Sequence, residues 1–152
     1  KINIDYPALA QYFSDLDKDS PTPMEVFEAV VNIRSSKLPD PAQIPNAGSF
    51  FKNPVVTSEV AADFAQRWPE MPLFAQLDGS VRVAAAWLIQ CCGFKLRQDD
   101  PVHVHANHAL VITNPQRRGG SEVLQLAEEI VAAVLEQFDI ELEQEPRSYG
   151  WI

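Results

Sequence analysis

Residues 102–138 read VHVHANHALVITNPQRRGGSEVLQLAEEIVAAVLEQF. Val102-His103-Val104-His105 and Ala109-Leu110-Val111-Ile112-Thr113 read as two strands separated only by Ala106-Asn107-His108. So short a gap joins antiparallel neighbours, because a parallel pair needs a crossover of a dozen or more residues. The apolar period then changes. Val123, Leu126, Ala127, Ile130, Val134 and Phe138 recur at three and four, one face of a long helix. Ser121 is its predicted cap, and Glu122 falls in the first turn, where a carboxylate complements the helix dipole. Ile140-Glu141-Leu142-Glu143 returns to alternation and predicts a closing strand. Strands paired around short connections and interspersed with helices predict an α+β fold, a mostly antiparallel sheet with helices packed on one face.

Upstream, Ile2, Ile4 and Tyr6 alternate with polar residues and predict a strand. A chain starting in mid-strand without an initiator Met reads as a piece of a longer polypeptide. Thr22-Pro23-Met24-Glu25 has the form of a capping box with Pro at the first helical position, and predicts a helix to about Arg34. Three prolines between Lys37 and Pro45 predict an irregular loop. Ser49 to Val56 reads as a strand, and Ser58 to Trp68 as a helix with Val60, Ala61, Phe64 and Ala65 inward. Asp78-Gly79-Ser80 marks a turn. Val83 to Cys92 is apolar nearly all round and predicts a buried helix stopped by Gly93.

The length of 152 residues fits a single domain that buries roughly two-thirds of its unfolded surface. A formal charge of −9 argues against a nucleic-acid binder acting through bulk electrostatics, though a few local cations suffice for an anionic small ligand. No apolar run reaches the roughly 18 residues needed to span a membrane, and the start has no signal-peptide core. The only cysteines are the neighbours Cys91 and Cys92, a poor structural bridge, so a reduced, cytoplasmic setting is expected. They are read as inert members of a buried helix. His103, His105 and His108 lack a fixed ligand pattern and are not assigned to a metal. Arg117-Arg118-Gly119-Gly120 lacks phosphate-loop spacing and reads as a solvated turn.

The stretch that carries chemistry is Pro45-Asn46-Ala47-Gly48-Ser49-Phe50-Phe51-Lys52-Asn53-Pro54. Asn-Ala-Gly frees the backbone to turn just before a hydroxyl, and a cation and an amide follow. With Lys37-Leu38-Pro39-Asp40-Pro41 upstream, Asp78-Gly79-Ser80 ahead of an Ala-Trp-Leu-Ile helix, and Leu142-Glu143-Gln144-Glu145-Pro146-Arg147 downstream, nearly the whole chain resembles the C-terminal, substrate-binding half of the UDP-N-acetylenolpyruvoylglucosamine reductase family (MurB). The resemblance implies a cytoplasmic flavoenzyme of peptidoglycan synthesis. It would use FAD and NADPH to reduce UDP-N-acetylglucosamine enolpyruvate to UDP-N-acetylmuramate. The N-terminal FAD-binding part is absent from this sequence, so no cofactor is expected on it and the isolated domain is expected to be inactive. The alternative is a stand-alone nucleotide-sugar binding module without catalysis.

The resemblance also implies roles. Hydride arriving at the alkene builds charge beside the substrate carboxylate, and that carbon then needs a proton. Ser49 matches the family's proton donor. Glu145 matches its second catalytic group, a carboxyl kept protonated by burial and neighbouring negative charge so that it donates a hydrogen bond. Lys37 and Asn53 match substrate-binding residues. Tyr6 falls where one subclass carries a tyrosine on a mobile loop that closes over the diphosphate. Two substrate-binding positions depart from the pattern. Phe74 stands where that subclass has a second tyrosine, and it keeps a ring for stacking but no hydroxyl. His108 stands where Gln is frequent, and it can still donate to an oxygen. Residues 93–102 also lack the expected glycine-rich character.

Overall fold

The computed structural model describes residues 2–18 and 20–150. The chain divides into two compact units, one ending at Asp40 and one starting at Pro41.

In the first unit, Pro7 opens helix α1 (Pro7–Ser14). A missing N–H and a fixed φ suit that position. This corrects the expected strand at Ile2–Tyr6. Residues 2–5 are irregular, with no strand beside them among the described residues, and Tyr6 is instead the residue that precedes α1. Helix α2 (Pro23–Lys37) begins with the predicted capping box and runs three residues past Arg34. Thr22 N–H donates to Glu25 Oε2 at 2.8 Å, and Thr22 Oγ1 accepts from Glu25 N–H at 3.4 Å. Lys18 adds an ion pair to Glu25. Leu9, Phe13 and Ala29 form a small core, with Ile4, Tyr12, Val26 and Ile33 packed around it.

The hydrogen bond from Lys18, followed by those from Thr22, lowers the Glu25 carboxyl from 4.5 to about 2. A lowered folded value means the stabilisation is present above pH 4.5 and is lost as the pH falls toward 2. Gln keeps the capping geometry but cannot titrate. In acid melts followed by circular dichroism, Glu25→Gln should therefore lose less stability than the parent between pH 4.5 and 2. Superimposable pH profiles would show that this carboxylate does not hold the helix start.

The second unit holds two three-stranded antiparallel sheets. One has the order β1 (Asn46–Ser49), β6 (His108–Thr113), β5 (His103–His105). The other has β2 (Val55–Val56), β4 (Val81–Val83), β3 (Leu73–Ala75). The predicted hairpin is present, with Val104 opposite Ile112. Strands β3 and β4 flank the predicted Asp78-Gly79-Ser80 turn and are too short to show a period. Because Val83 belongs to β4, the following helix α4 is shorter than expected (Ala85–Cys91), and Gly93 ends it at φ +82°. Glycine adopts that conformation without steric cost.

Ala85, Leu88 and Ile89 of α4 are buried, but Cys91 is exposed. The helix is thus covered on one face, which corrects the reading of Cys91-Cys92 as a buried pair. Partial burial raises both thiols, that of Cys92 to about 11, so neither is an activated thiolate. Helix α3 (Ser58–Arg67) is capped by Thr57 and buries Ala61 and Phe64, whereas Val60 and Ala65 fall on the exposed flanks of that narrower face. Helix α5 (Gly120–Phe138) buries Leu126, Ala127, Ile130, Val134 and Phe138, as its period predicts. Its cap is Gly119 rather than Ser121. Asn114 fixes the preceding turn, accepting from Arg118 N–H at 2.7 Å and donating to Arg118 O at 2.8 Å, so the helix starts two residues early.

Phe138 is the hub of the aromatic packing, with ring centroids 4.9 Å from Trp68 and 5.7 Å from Trp87. The predicted strand at Ile140–Glu143 reduces to a single bridge, Phe51 opposite Gln144. Its alternation is nevertheless real, since Ile140 and Leu142 are buried and Glu141 and Glu143 exposed. The ladder is short because its partner segment soon reaches Pro54, which has no N–H to offer.

Candidate functional site

Ser49 is placed by a bulge. Asn46 lies opposite Thr113 and Ser49 opposite Val111, so β1 spends one residue more than β6 over this span. Asn46 Oδ1 accepts from Gly48 N–H at 2.9 Å, and Asn46 Nδ2 donates to Ile44 O at 2.8 Å. Gly48 takes φ +75°, and a Cβ built on it meets nothing within 4 Å. Glycine is needed there for its backbone angle alone. A bulge re-aims the side chain that follows it, and here that side chain is Ser49, half-buried. Among the described residues its hydroxyl makes no hydrogen bond, so it is not spent on holding the loop.

At the next residue the chain changes partners. Phe50 N–H donates to Leu110 O of β6 at 2.7 Å, while Phe50 O accepts from Glu145 N–H at 2.9 Å. The antiparallel run continues through the Phe51–Gln144 bridge and through Lys52 N–H to Glu143 O at 2.9 Å. Phe50 and Phe51, both buried with centroids 5.4 Å apart, anchor the crossing. The backbone of Glu145 is thereby bonded to the residue next to Ser49. Glu145 itself is exposed, so the covering that its expected protonated state requires is not supplied by the described residues. Lys52 forms an ion pair with Glu143 on the exposed edge. Asn53 Oδ1 accepts from Ala85 N–H at 3.0 Å and ties this strand to the start of α4. The amide NH2 of Asn53 remains the end that can donate to a ligand.

Phe74 lies half-exposed on β3, opposite Arg82 of β4, whose guanidinium carbon is 5.6 Å from the ring centroid. His108 opens β6 opposite His105. Burial, and then the neighbouring His108 and His103, lower the titration of His105. Its Nδ1 is buried with no hydrogen-bond partner among the described residues. His103 Nδ1 lies 2.7 Å from Asp100 O. No group of three or more His, Cys, Asp or Glu among the described residues is arranged to hold a metal ion. Tyr6 and Lys37 belong to the first unit: Tyr6 is exposed, and Lys37 is the last residue of α2, its side chain outside the described residues.

The model of the UDP-N-acetylenolpyruvoylglucosamine reductase C-terminal domain matches residues 40–149. The chain belongs to this family. Relatives named UDP-N-acetylenolpyruvoylglucosamine reductase include a Chromobacterium violaceum protein, 50% identical over 84% of this chain. One from Pseudomonas syringae pv. tomato is 42% identical over 97% of the chain. Another, from Paraburkholderia phymatum, is 48% identical over 84%. The aligned part makes up 38%, 44% and 37% of those proteins, so the chain spans less than half the length of the relatives it matches.

Ser49, Asn53, Phe74, His108 and Glu145 all fall inside the matched reductase domain, and Tyr6 and Lys37 precede it. Among the described residues of this reductase domain, the cleft between residues 97–102 and α5 is lined by Asp100, Glu122 and Glu129. Those charges oppose a dinucleotide diphosphate, and Arg97 in the same cleft is already paired with Asp100 and Glu129. This cleft does not fit FAD. Two contacts escaped the sequence reading, Arg82 beneath Phe74 and Glu143 on Lys52. Each is a cross-strand pair between segments distant in sequence, and no local pattern announces it.

Proposed function

We propose that this chain is the substrate-binding part of a UDP-N-acetylmuramate dehydrogenase, an FAD- and NADPH-dependent cytoplasmic oxidoreductase of peptidoglycan synthesis. Its substrate is UDP-N-acetylglucosamine enolpyruvate. The observation that carries the reading is the change of partners at Phe50, which brings Glu145 beside the bulge that carries Ser49. Ser49 Oγ gives its proton to the carbon next to the substrate carboxylate. Glu145, protonated beside that carboxylate, donates a hydrogen bond to it as the charge spreads there. Lys37 offsets the same charge. The Asn53 amide and His108 bind polar oxygens of the substrate, Phe74 stacks on the uridine, and Tyr6 closes over the diphosphate as in the tyrosine-loop subclass. The flavin supplies hydride and belongs to the remainder of the full-length protein.

Full-length protein should turn NADPH over continuously only when the enolpyruvyl substrate is present, and the isolated chain should show no flavin absorbance and no turnover. A full-length protein that binds the substrate without oxidising NADPH would overturn the enzymatic reading in favour of a nucleotide-sugar binding module.

A further inference from the structure

The outer side of the β2–β4–β3 sheet sets a cation against an aromatic ring. Arg82 lies opposite Val55 of β2 on one side and Phe74 of β3 on the other. Registered partners in antiparallel strands share a face of the sheet. The next row turns inward, since Val83 is fully buried and its partner Leu73 packs against the core. Alternation then turns the Val55–Arg82–Phe74 row outward, and Val55 is 61% and Phe74 48% exposed. The Arg82 guanidinium carbon stands 5.6 Å from the Phe74 ring centroid. The row thus presents a flat apolar surface and a fixed positive charge side by side.

Two further observations point to what this row takes. The chain carries a formal charge of −9, and Lys52, Arg67 and Arg97 each hold a carboxylate. Arg82 holds none among the described residues, and no hydrogen bond there uses its donors. A cation beside a ring is a weak contact at an exposed site, and it leaves the guanidinium N–H groups able to bind elsewhere. The row is also continuous with the candidate site. Asn53 stands two residues before Val55 and accepts at 3.0 Å from the N–H of Ala85, three residues after Arg82. An exposed ring suits a nucleobase, and the planar fork of Arg suits phosphate oxygens. A nucleoside diphosphate offers both groups, joined through one ribose.

We propose that Arg82 binds the diphosphate of the UDP-sugar whose uracil stacks on Phe74. The inference rests on the proposed function for the identity of the sugar nucleotide, and it adds a binding residue which that reading does not include. On a chain of net negative charge the anion needs such a local cation. Calorimetry on the full-length protein tests it, with UDP, uridine and ADP as probes. Arg82→Gln should weaken UDP binding about 10- to 100-fold, the worth of a hydrogen bond to a charged group. Uridine has no phosphate, and its affinity should stay within about twofold. Arg82→Lys, a cation without the fork, should fall between. Phe74→Leu should weaken UDP and uridine alike, because the ring that stacks the base is lost. Arg82 is exposed, so the melting temperature of Arg82→Gln should stay within about 2 °C of the parent.

Equal UDP affinity in Arg82→Gln and the parent would overturn the proposal, as would a parent that binds no UDP. A loss shared equally by uridine would make Arg82 a support for the Phe74 ring rather than a phosphate ligand, and would also overturn it. ADP separates the substrate from the dinucleotide coenzyme. An Arg82 effect on ADP as large as that on UDP would assign the pair to the coenzyme instead, and would equally overturn the proposal. If UDP binding depends on Arg82 but the full-length protein does not turn NADPH over with the enolpyruvyl substrate, the functional reading fails and the assignment of Arg82 stands.

Discussion

Replacing Ser49 by Ala in the full-length protein is expected to lower kcat by about 100- to 10,000-fold, the usual worth of a placed proton donor. In barrier terms that is about 3–5 kcal/mol. The substitution removes little else. Ser49 is set by the Gly48 bulge and by the bonds of Phe50, and its hydroxyl serves no structural contact among the described residues. Stability and substrate affinity should therefore stay near those of the parent. Reduction of the flavin by NADPH should also survive, because that half-reaction needs no proton at the substrate carbon. Stopped-flow spectra separate the halves: rapid flavin reduction, then a stalled reoxidation by substrate. Turnover within threefold of the parent would remove Ser49 from its assigned role.

The second large effect is on the frame of the site. Phe51 is 1% exposed and sits where strand 50–52 meets residues 143–145. Phe51→Ala should cost about 3–5 kcal/mol, the cavity and transfer cost of deleting a buried ring. For a protein of this size the melting temperature should fall by roughly 10 °C. Activity should fall further than unfolding explains, because Phe51 is the buried residue at which the segment carrying Ser49 meets the segment carrying Glu145. Phe51→Leu, which refills much of the volume, should recover most of the stability. A loss below about 1 kcal/mol would show that the crossing is held by its backbone bonds rather than by the ring.

The legible parts of the molecule are those whose cause is local. The α5 stripe, the hairpin through Val104 and Ile112, and the Thr22–Glu25 box each follow from residues within a few turns of one another. Failures arise where a distant partner decides. Alternation at Ile2–Tyr6 finds no strand beside it among the described residues, and Pro7 starts a helix instead. Strands β3 and β4 are three residues each, shorter than any period can reveal, and exist through their pairing with one another. The site divides the same way. The Asn46–Ser49 turn is readable from Asn-Ala-Gly, and the matching of Glu145 to Ser49 rested on a family resemblance. What a single sequence could not display is that a backbone bond from Glu145 to Phe50 would join them.

That bond also sets a schedule for biosynthesis. Lys52 and Glu143, which close the same crossing, are 91 residues apart. Joining segments so distant costs about 4 kcal/mol in chain entropy before any contact repays it. A nascent chain that has made the Ser49 bulge, both hairpins and the start of α5 still lacks the segment that crosses beside that bulge. The crossing forms only after residues 143–145 have cleared the ribosome. A polypeptide truncated just after α5 would keep every named element of the fold and lack the crossing that brings the two residues together.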